Sequence, residues 1–230
     1  MINENIKKVQ DNITKAAIDA GRNPKEVTLI AVSKTKPVCM LKEAYEAGMR
    51  DFGENKVQEI VEKYDQLPQD IRWHLIGHLQ TNKVKYIIDK VYMIHSVDSY
   101  KLACEISKHA QKHNLTMPIL IEVNVANEDT KFGVSPESTE ELVKSVSTLP
   151  GIIVKGLMTV APFTENPAEN STYFSTLKQL LVDINAKNID NVNMDCLSMG
   201  MSGDYIVAIN EGSTYVRVGT SIFGQRQYMI

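Results

Sequence analysis

The sequence has few cysteines and no excess of positive charge, and each shortage excludes a class of protein. Its 230 residues include three cysteines, Cys39, Cys104 and Cys196, and they lie far apart without a CxxC pair. An odd number of widely spaced cysteines predicts ordinary thiols in a reducing compartment rather than a disulfide framework. The net charge of −3 offers no basic surface to a nucleic acid. We therefore expect no nucleic acid among the partners.

The chain also lacks the segments that send a protein to a membrane. No apolar run approaches the roughly 20 residues that span a bilayer. Residues 1–8 mix isoleucines with Asn, Glu and Lys instead of forming the apolar core of a secretory leader. We expect a cytoplasmic protein with no membrane partner. Because 43% of its residues are hydrophobic and no polar low-complexity tract occurs, the chain is predicted to be globular.

What the sequence does contain is a regular alternation of strand and helix patterns. Apolar residues recur at helical spacing over residues 2–20, and Gly21 stands at the stop position. About eight units of a short apolar strand and a helix then run to Val218. Eight such units in about 200 residues predict a parallel α/β fold, a (β/α)8 TIM-type barrel with an extra N-terminal helix. No linker-like composition divides the chain, so residues 1–230 are predicted to form a single domain.

An open, doubly wound α/β sheet is the alternative to the barrel. Such sheets more often have fewer strands and a glycine-rich loop after the first strand. Here Lys34-Thr-Lys-Pro37 follows the first strand, and no G-x-G-x-x-G motif occurs in the sequence. The barrel is therefore the favoured fold.

The first predicted strand leads directly to a lysine. Residues 27–33 are apolar or small, and side chains alternate along a strand, so Lys34 shares a face with Ile30 and Val32. Removal from water disfavours an ammonium ion, lowers its pKa and provides the neutral amine that Schiff-base chemistry requires. A lysine that extends from a strand end into water is the alternative interpretation of this stretch alone.

Two loops of small residues follow the last two predicted strands, where barrels of this kind often bind phosphate. The first contains Ser198 and Ser202 and runs into a short helix, and the second contains Gly219 and Thr220. Their N–H groups and hydroxyls can contact an anion closely. Arg217, two residues before Gly219, is predicted to point into the barrel mouth. A phosphate site beside an activated lysine predicts pyridoxal 5'-phosphate (PLP), whose aldehyde condenses with the amine.

Motifs spread from the first strand to the last carry a resemblance to a known family. They are residues 31–37 (AVSKTKP), 52–59 (FGENKVQE), 73–83 (WHLIGHLQTNK), 131–133 (KFG), 156–158 (GLM), 198–204 (SMGMSGD) and 217–220 (RVGT). In these motifs the chain resembles the pyridoxal phosphate homeostasis proteins, single-domain relatives of the barrel half of alanine racemase. The third and sixth motifs are long enough to be highly specific.

The resemblance implies a set of cofactor-binding residues. Lys34 would carry PLP covalently as N6-(pyridoxal phosphate)lysine, the two loops would hold the phosphate, and Arg217 would face the pyridine nitrogen. Three further residues would line the pocket with roles that the sequence leaves open. The full set is Lys34, Asn55, His78, Ser198, Met199, Ser202, Arg217, Gly219 and Thr220. Lys36 is expected to be a solvated lysine, and segment 131–133 receives no role. No metal site is predicted.

Arg217 also bears on whether the protein is an enzyme. An arginine stays cationic and keeps a neighbouring nitrogen unprotonated, which weakens the ring as an electron sink. The related racemases also use a tyrosine from an extra C-terminal β domain, which has no counterpart in this sequence. The resemblance therefore implies a non-catalytic PLP carrier that takes part in PLP (vitamin B6) and amino and keto acid homeostasis.

Several further expectations accompany this assignment. The alternative function is a PLP-dependent amino-acid racemase, or a Schiff-base lyase or aldolase, on the same barrel. Apo PLP-dependent enzymes are the candidate recipients of the cofactor. A monomer is expected, because no domain or apolar stripe is left over for a partner.

Overall fold

A computed structural model describes residues 1–128 and 130–225, and within them eight parallel strands close into a barrel. Each strand pairs with the next in chain order, and β1 closes the barrel against β8. The strands are β1 (Thr28–Val32), β2 (Asp51–Glu54), β3 (Arg72–Leu75), β4 (Met93–Val97), β5 (Met117–Glu122), β6 (Ile152–Met158), β7 (Val192–Met201) and β8 (Tyr215–Val218). This order confirms the predicted barrel and excludes the open sheet.

Helices follow the strands along the chain and cover the outside of the barrel. They are α1 (Ile2–Asp19), α2 (Val38–Glu46), α3 (Val57–Tyr64), α4 (Tyr100–Lys112), α5 (Pro136–Ser147), α6 (Ser171–Asn185), α7 (Tyr205–Asn210) and α8 (Thr220–Phe223). Short 3₁₀ helices occur at Pro24–Glu26, Thr81–Tyr86 and Pro167–Asn170. No helix among the described residues has the length and apolar character needed to cross a bilayer.

A helix follows β3 where the sequence indicates one. Residues 80–88 indicate a helix, and the structure has a 3₁₀ helix at Thr81–Tyr86. Because a 3₁₀ helix has three residues per turn, positions three apart share one side. Val84 and Ile87 have this spacing, and both are buried. Val84 in the helix and Ile87 just after it therefore anchor this segment in the core. The predicted domain also includes residues 129 and 226–230, which lie outside the described part of the chain.

The extra N-terminal helix packs across the last two helices of the barrel. Its apolar residues Ile2, Ile6, Val9 and Ile13 are buried, each worth roughly 1.5–3 kcal/mol when fully removed from water. Asn5 Nδ2 donates to the Ile222 carbonyl of α8 at 2.9 Å, which adds a polar contact. Since α7 and α8 begin just after the two small-residue loops, α1 supports the elements that carry those loops.

The interior of the barrel is part apolar and part polar. Met93, Leu120, Met158 and Cys196 form a small cluster separate from the main core between strands and helices. Residues two positions further along a strand point the same way. These positions include His95 on β4 and other buried polar side chains nearer the carboxyl ends of the strands. The barrel thus has an apolar layer and, above it, a polar one.

Candidate functional site

A cavity of about 310 Å³ lies at the carboxyl ends of the strands. Six of the nine residues assigned from the sequence line it, together with apolar side chains from neighbouring strands. The lining residues are Val32, Lys34, Asn55, Ile76, Val160, Met201, Ser202, Gly203, Arg217, Gly219 and Thr220. A groove of about 460 Å³ lies at the other end of the barrel, among Lys25, Arg50 and Arg72. The predicted site is the former, because it unites the lysine, the arginine and both loops.

Lys34 reaches this cavity from the end of β1, and the chain turns sharply after it. Lys34 is half-buried and lines the cavity two residues after Val32. Thr35 has φ 63°, in the left-handed region that a β-branched residue rarely adopts. Its N–H donates to Glu59 Oε2 at 2.6 Å, and its hydroxyl donates to the Lys34 carbonyl at 2.6 Å. These two bonds hold the turn that presents Lys34.

A buried lysine on α3 braces the same turn. Lys63 Nζ donates to the Ser33 carbonyl at 3.0 Å, and to Glu54 Oε1 and Glu59 Oε2 at 2.8 Å each. Burial raises the pKa of Glu54 to about 7, although Lys63 opposes this. Burial also acts to raise the pKa of Glu59, but hydrogen bonds from Lys63 and Thr35 hold it below its ordinary value. We call Glu54, Glu59 and Lys63 the α3 brace.

Sequence reasoning missed the α3 brace, but one signal pointed to it. Val57, Ile60 and Lys63 recur every three residues, so the lysine stands on the apolar face of α3. A charged residue on a buried face requires partners of opposite charge. The acidic residues at positions 54 and 59 supply them.

The two small-residue loops meet at the cavity. The Gly219 N–H donates to Ser202 Oγ at 3.1 Å, which joins the loop after β7 to the loop after β8. Asp204 holds the first loop in shape, because its Oδ1 accepts from the Met201 N–H at 2.6 Å. Gly200 has φ 89°, and a Cβ there would lie 2.5 Å from the Ala208 Cβ. Glycine at this position therefore lets β7 run closely onto α7.

Arg217 lies inside the barrel directly beneath the cavity. Its side chain is buried, with Nη1 donating to the Ser198 carbonyl at 2.7 Å and to Ser198 Oγ at 2.6 Å. Nη2 donates to the Thr159 carbonyl at 2.7 Å. Burial lowers the pKa of Arg217 to about 10, while Glu122 and Asp204 favour the charged form. The guanidinium is therefore cationic at neutral pH and held by β7 and by the residue that follows β6.

Asn55 lines the cavity, and the residues that follow β3 pack closely against it. A Cβ at Gly77 would lie 2.5 Å from the Asn55 carbonyl oxygen and 2.7 Å from its Cα. Only a residue without a side chain fits there, so Gly77 permits the contact. Ile76, one residue earlier, also lines the cavity. The end of β3 thus forms a wall of the site opposite the loops.

The other three predicted residues do not line the cavity. The Ser198 hydroxyl is fully buried in the barrel interior between His95 and Arg217. Met199 is fully buried in the main core, because strand alternation turns it away from the interior that Ser198 faces. His78 stacks on Phe132 with ring centroids 3.8 Å apart. Sequence motifs mark positions along the chain but do not show which side of a strand end faces the cavity.

Two residues whose roles the sequence left open have defined contacts. Lys36 Nζ donates to the carbonyls of residues 223, 224 and 225 at 3.0 Å each, so it caps α8. Lys36 is also partly exposed, so these bonds belong to a lysine that still meets solvent. Lys131 Nζ contacts Glu128 Oε1 at 3.0 Å and the Val160 carbonyl at 3.3 Å. Across residues 1–128 and 130–225 no group of three or more His, Cys, Asp or Glu side chains could hold a metal ion.

Comparison with known proteins assigns the family. Residues 5–227 match the family profile described as "Alanine racemase, N-terminal domain". The chain is 46% identical over 226 residues to the pyridoxal phosphate homeostasis protein of Aquifex aeolicus, with 98% of each chain covered. The chain belongs to the pyridoxal phosphate homeostasis proteins. The relative from Pseudomonas aeruginosa is 42% identical over 228 residues, with 99% of this chain and 96% of that one covered.

A solved structure agrees with this assignment. PipY of Synechococcus elongatus, solved with PLP bound, aligns with a TM-score of 0.84 at 32% identity. The alignment covers 97% of this chain and 100% of PipY. Membership of the pyridoxal phosphate homeostasis proteins, first indicated by short motifs, is thus confirmed over nearly the whole chain.

Proposed function

We propose that this chain binds PLP covalently on Lys34 and acts as a non-catalytic carrier in PLP homeostasis. The observation that carries the proposal is one cavity that unites Lys34, Arg217 and both small-residue loops. Two further facts support it: relatives of nearly equal length are pyridoxal phosphate homeostasis proteins, and PipY holds PLP.

The residues present fit the phosphate of PLP. A cavity of about 310 Å³ is at the small end of the range typical for cofactor sites. A Cβ at Gly203 would meet nothing within 4 Å, so the backbone there borders open space that an anion can enter. Ser202 and Thr220 add hydroxyls at the same wall, and because Ser202 Oγ accepts from the Gly219 N–H, the Ser202 hydroxyl proton can be donated to an anion. Clustered N–H and O–H donors of this kind bind phosphate oxygens.

Lys34 is assigned to the aldehyde of the cofactor and Arg217 to its ring. The Lys34 amine attacks the aldehyde carbon, a C=N bond forms and water leaves, so no further reactant is required. PLP supplies an aldehyde and a ring that withdraws electrons when its nitrogen is protonated. We assign Arg217 to the ring nitrogen, where a cationic guanidinium disfavours protonation. Arg217 thereby permits binding while weakening turnover.

The finer parts of the proposal stay predictions. They are delivery of PLP to apo enzymes, a role in amino and keto acid balance, a cytoplasmic location, a monomeric state and a single domain. Nucleic acid and membrane are not proposed as partners. His78, Ser198 and Met199 do not line the cavity, and their assignment to the wider site stays a prediction.

Borohydride trapping tests the covalent link. The protein is incubated with PLP, reduced, digested and mapped by mass spectrometry. We expect one reduced pyridoxyl group on the peptide that contains Lys34. The matched control is Lys36→Ala, two residues away, which should leave the label in place, whereas Lys34→Ala should lose it. A label on another lysine, or none on the wild type, contradicts the proposal.

Exchange of the α-proton separates a carrier from an enzyme. Alanine and serine are incubated with the PLP-loaded protein in heavy water and followed by NMR. A carrier leaves the α-proton in place over the assay, whereas a racemase exchanges it at roughly 1–10³ per second. Exchange at such rates would show that the protein is a racemase and not a carrier. Cleavage of a β-hydroxy amino acid would show that it is a lyase.

A further inference from the structure

Five polar residues form a row of hydrogen bonds through the barrel interior. His74 Nε2 lies 3.0 Å from Asp51 Oδ1, and His74 Nδ1 lies 2.9 Å from His95 Nε2. His95 Nδ1 lies 2.9 Å from Ser198 Oγ, which in turn lies 2.6 Å from Arg217 Nη1. All five are buried, and they come from β2, β3, β4, β7 and β8. We call them the interior chain.

The chemistry of its two ends, together with neutral imidazole rings, fixes the direction of every bond in the interior chain. A guanidinium only donates hydrogen bonds, and an ionised carboxylate only accepts them. Arg217 therefore donates to Ser198 Oγ, whose hydroxyl proton goes to His95 Nδ1. His95 then donates from Nε2 to His74 Nδ1, and His74 donates from Nε2 to Asp51. In this arrangement both histidines are neutral, each with its proton on Nε2.

The charges around the interior chain agree with this direction. Burial lowers the pKa of both His74 and His95, and the positive charge of Arg217 lowers that of His95 further. Burial alone would raise the pKa of Asp51, but hydrogen bonds from His74 and Arg72 hold it below its ordinary value. The carboxylate is ionised and the imidazoles are neutral, as a one-way chain requires.

His95 decides which face of the Ser198 hydroxyl meets Arg217. A hydroxyl can donate or accept, and a serine with no acceptor nearby could turn its proton toward the guanidinium. Because His95 Nδ1 takes that proton, a lone pair of Ser198 Oγ faces Arg217. Hydrogen bonds in a row also strengthen one another in a low-dielectric interior. The interior chain thus fixes a donor of Arg217 from below, while the cavity lies above it.

We propose that Asp51, His74, His95 and Ser198 are positioning residues that set the guanidinium of Arg217 at the floor of the cavity. Given the proposed function, they set its contact with the PLP ring. If these residues only filled the interior, their volume would matter but the positions of their protons would not. Replacing a polar side chain by an apolar one of similar size should therefore alter PLP binding only if they position Arg217.

The first test uses the protein without PLP and so does not depend on the proposed function. NMR of protein labelled with ¹⁵N at histidine reports which ring nitrogen carries the proton. Signals are assigned by single replacement of each histidine. We expect neutral His74 and His95, both protonated at Nε2, at neutral pH. A proton on Nδ1 of either ring, or a charged ring, overturns the one-way chain.

The second test measures the effect on PLP. His95→Leu and Ser198→Ala each break the interior chain, and His109→Leu on α4, where the ring contacts Glu105 at 2.9 Å, is the matched control. We expect the dissociation constant of PLP to rise about tenfold in both variants. This factor corresponds to the free energy of one hydrogen bond to a charged group. The visible band should shift in both, while borohydride labelling at Lys34 stays complete.

The remaining variants make the outcome decisive. Ser198→Thr keeps the hydroxyl and should restore wild-type binding and the wild-type band, as should His109→Leu. If the His95→Leu and Ser198→Ala proteins fold and keep the wild-type affinity for PLP and the wild-type spectrum, the interior chain does not position Arg217. If His95→Leu does not fold, Ser198→Ala decides. Failure of the wild type to bind PLP refutes the proposed function instead, and leaves the NMR result standing.

Discussion

Removal of the Lys63 ammonium should destabilise the fold more than any surface charge can. Lys63 is 5% exposed and contacts Glu54, which is 0% exposed, at 2.8 Å. Lys63→Met keeps much of the volume but leaves a buried carboxyl without its cation. Loss of one partner from a buried pair costs about 3–5 kcal/mol. Because burial already raises the pKa of Glu54 to about 7, that carboxyl can take up a proton, so we expect the lower end of this range.

Urea unfolding followed by the fluorescence of Trp73 measures this loss. Trp73 is the only tryptophan and is buried, so its emission reports the core. The matched control is Lys187→Met, whose ion pair with Glu140 lies at the surface and should matter by less than about 1 kcal/mol. The double variant Lys63→Met/Glu54→Gln should recover part of the loss, since no buried charge is then left unpaired. If Lys63→Met unfolds like Lys187→Met, the α3 brace does not stabilise the fold.

Three further predictions concern other parts of the molecule. Burial raises the pKa of Glu122 to about 7 from an ordinary 4.5, so stability present at low pH is lost as pH rises through 7. The loss is about 3 kcal/mol, and Glu122→Gln should remove it when unfolding is compared at about pH 5 and pH 8. Equal pH slopes in both proteins would contradict this. Gly156→Ala should cost roughly 3 kcal/mol or more, since its Cβ would lie 1.8 Å from the Cys196 carbonyl; Gly203→Ala, where a Cβ meets nothing, is its control, and equal unfolding curves would refute the argument. Light scattering should give the mass of one chain, and a dimer mass would contradict the monomer.

The sequence predicted the barrel because its strands and helices carry local patterns. Continuous apolar runs such as residues 27–33 indicate strands buried on both faces, and helical spacing marks α1. The loops after β7 and β8 and the lysine after β1 could also be placed, since the carboxyl ends of barrel strands meet at one face. Most of the site could therefore be predicted from local composition and from the order of the strands.

The interior chain and the α3 brace could not be predicted in the same way. His95 and Ser198 are 103 residues apart in sequence yet 2.9 Å apart in space, and nothing beside either one indicates the other. The partners of Lys36 are main-chain carbonyls near residue 224. Every residue has such a carbonyl, so the sequence gives no sign of this contact. Met199 was assigned to the pocket by motif, and its side chain lies on the other face of β7. Contacts between residues of different elements, and the direction of each side chain, decide these cases.

The visible spectrum of the purified protein, loaded with PLP and desalted, tests the central claim most directly. The wild type should be yellow, because the Lys34 amine holds the cofactor through a C=N bond. Lys34→Ala should be colourless after the same treatment, with unchanged Trp73 fluorescence to show that it is folded. A colourless wild type, or the same yellow band in Lys34→Ala, would contradict the account.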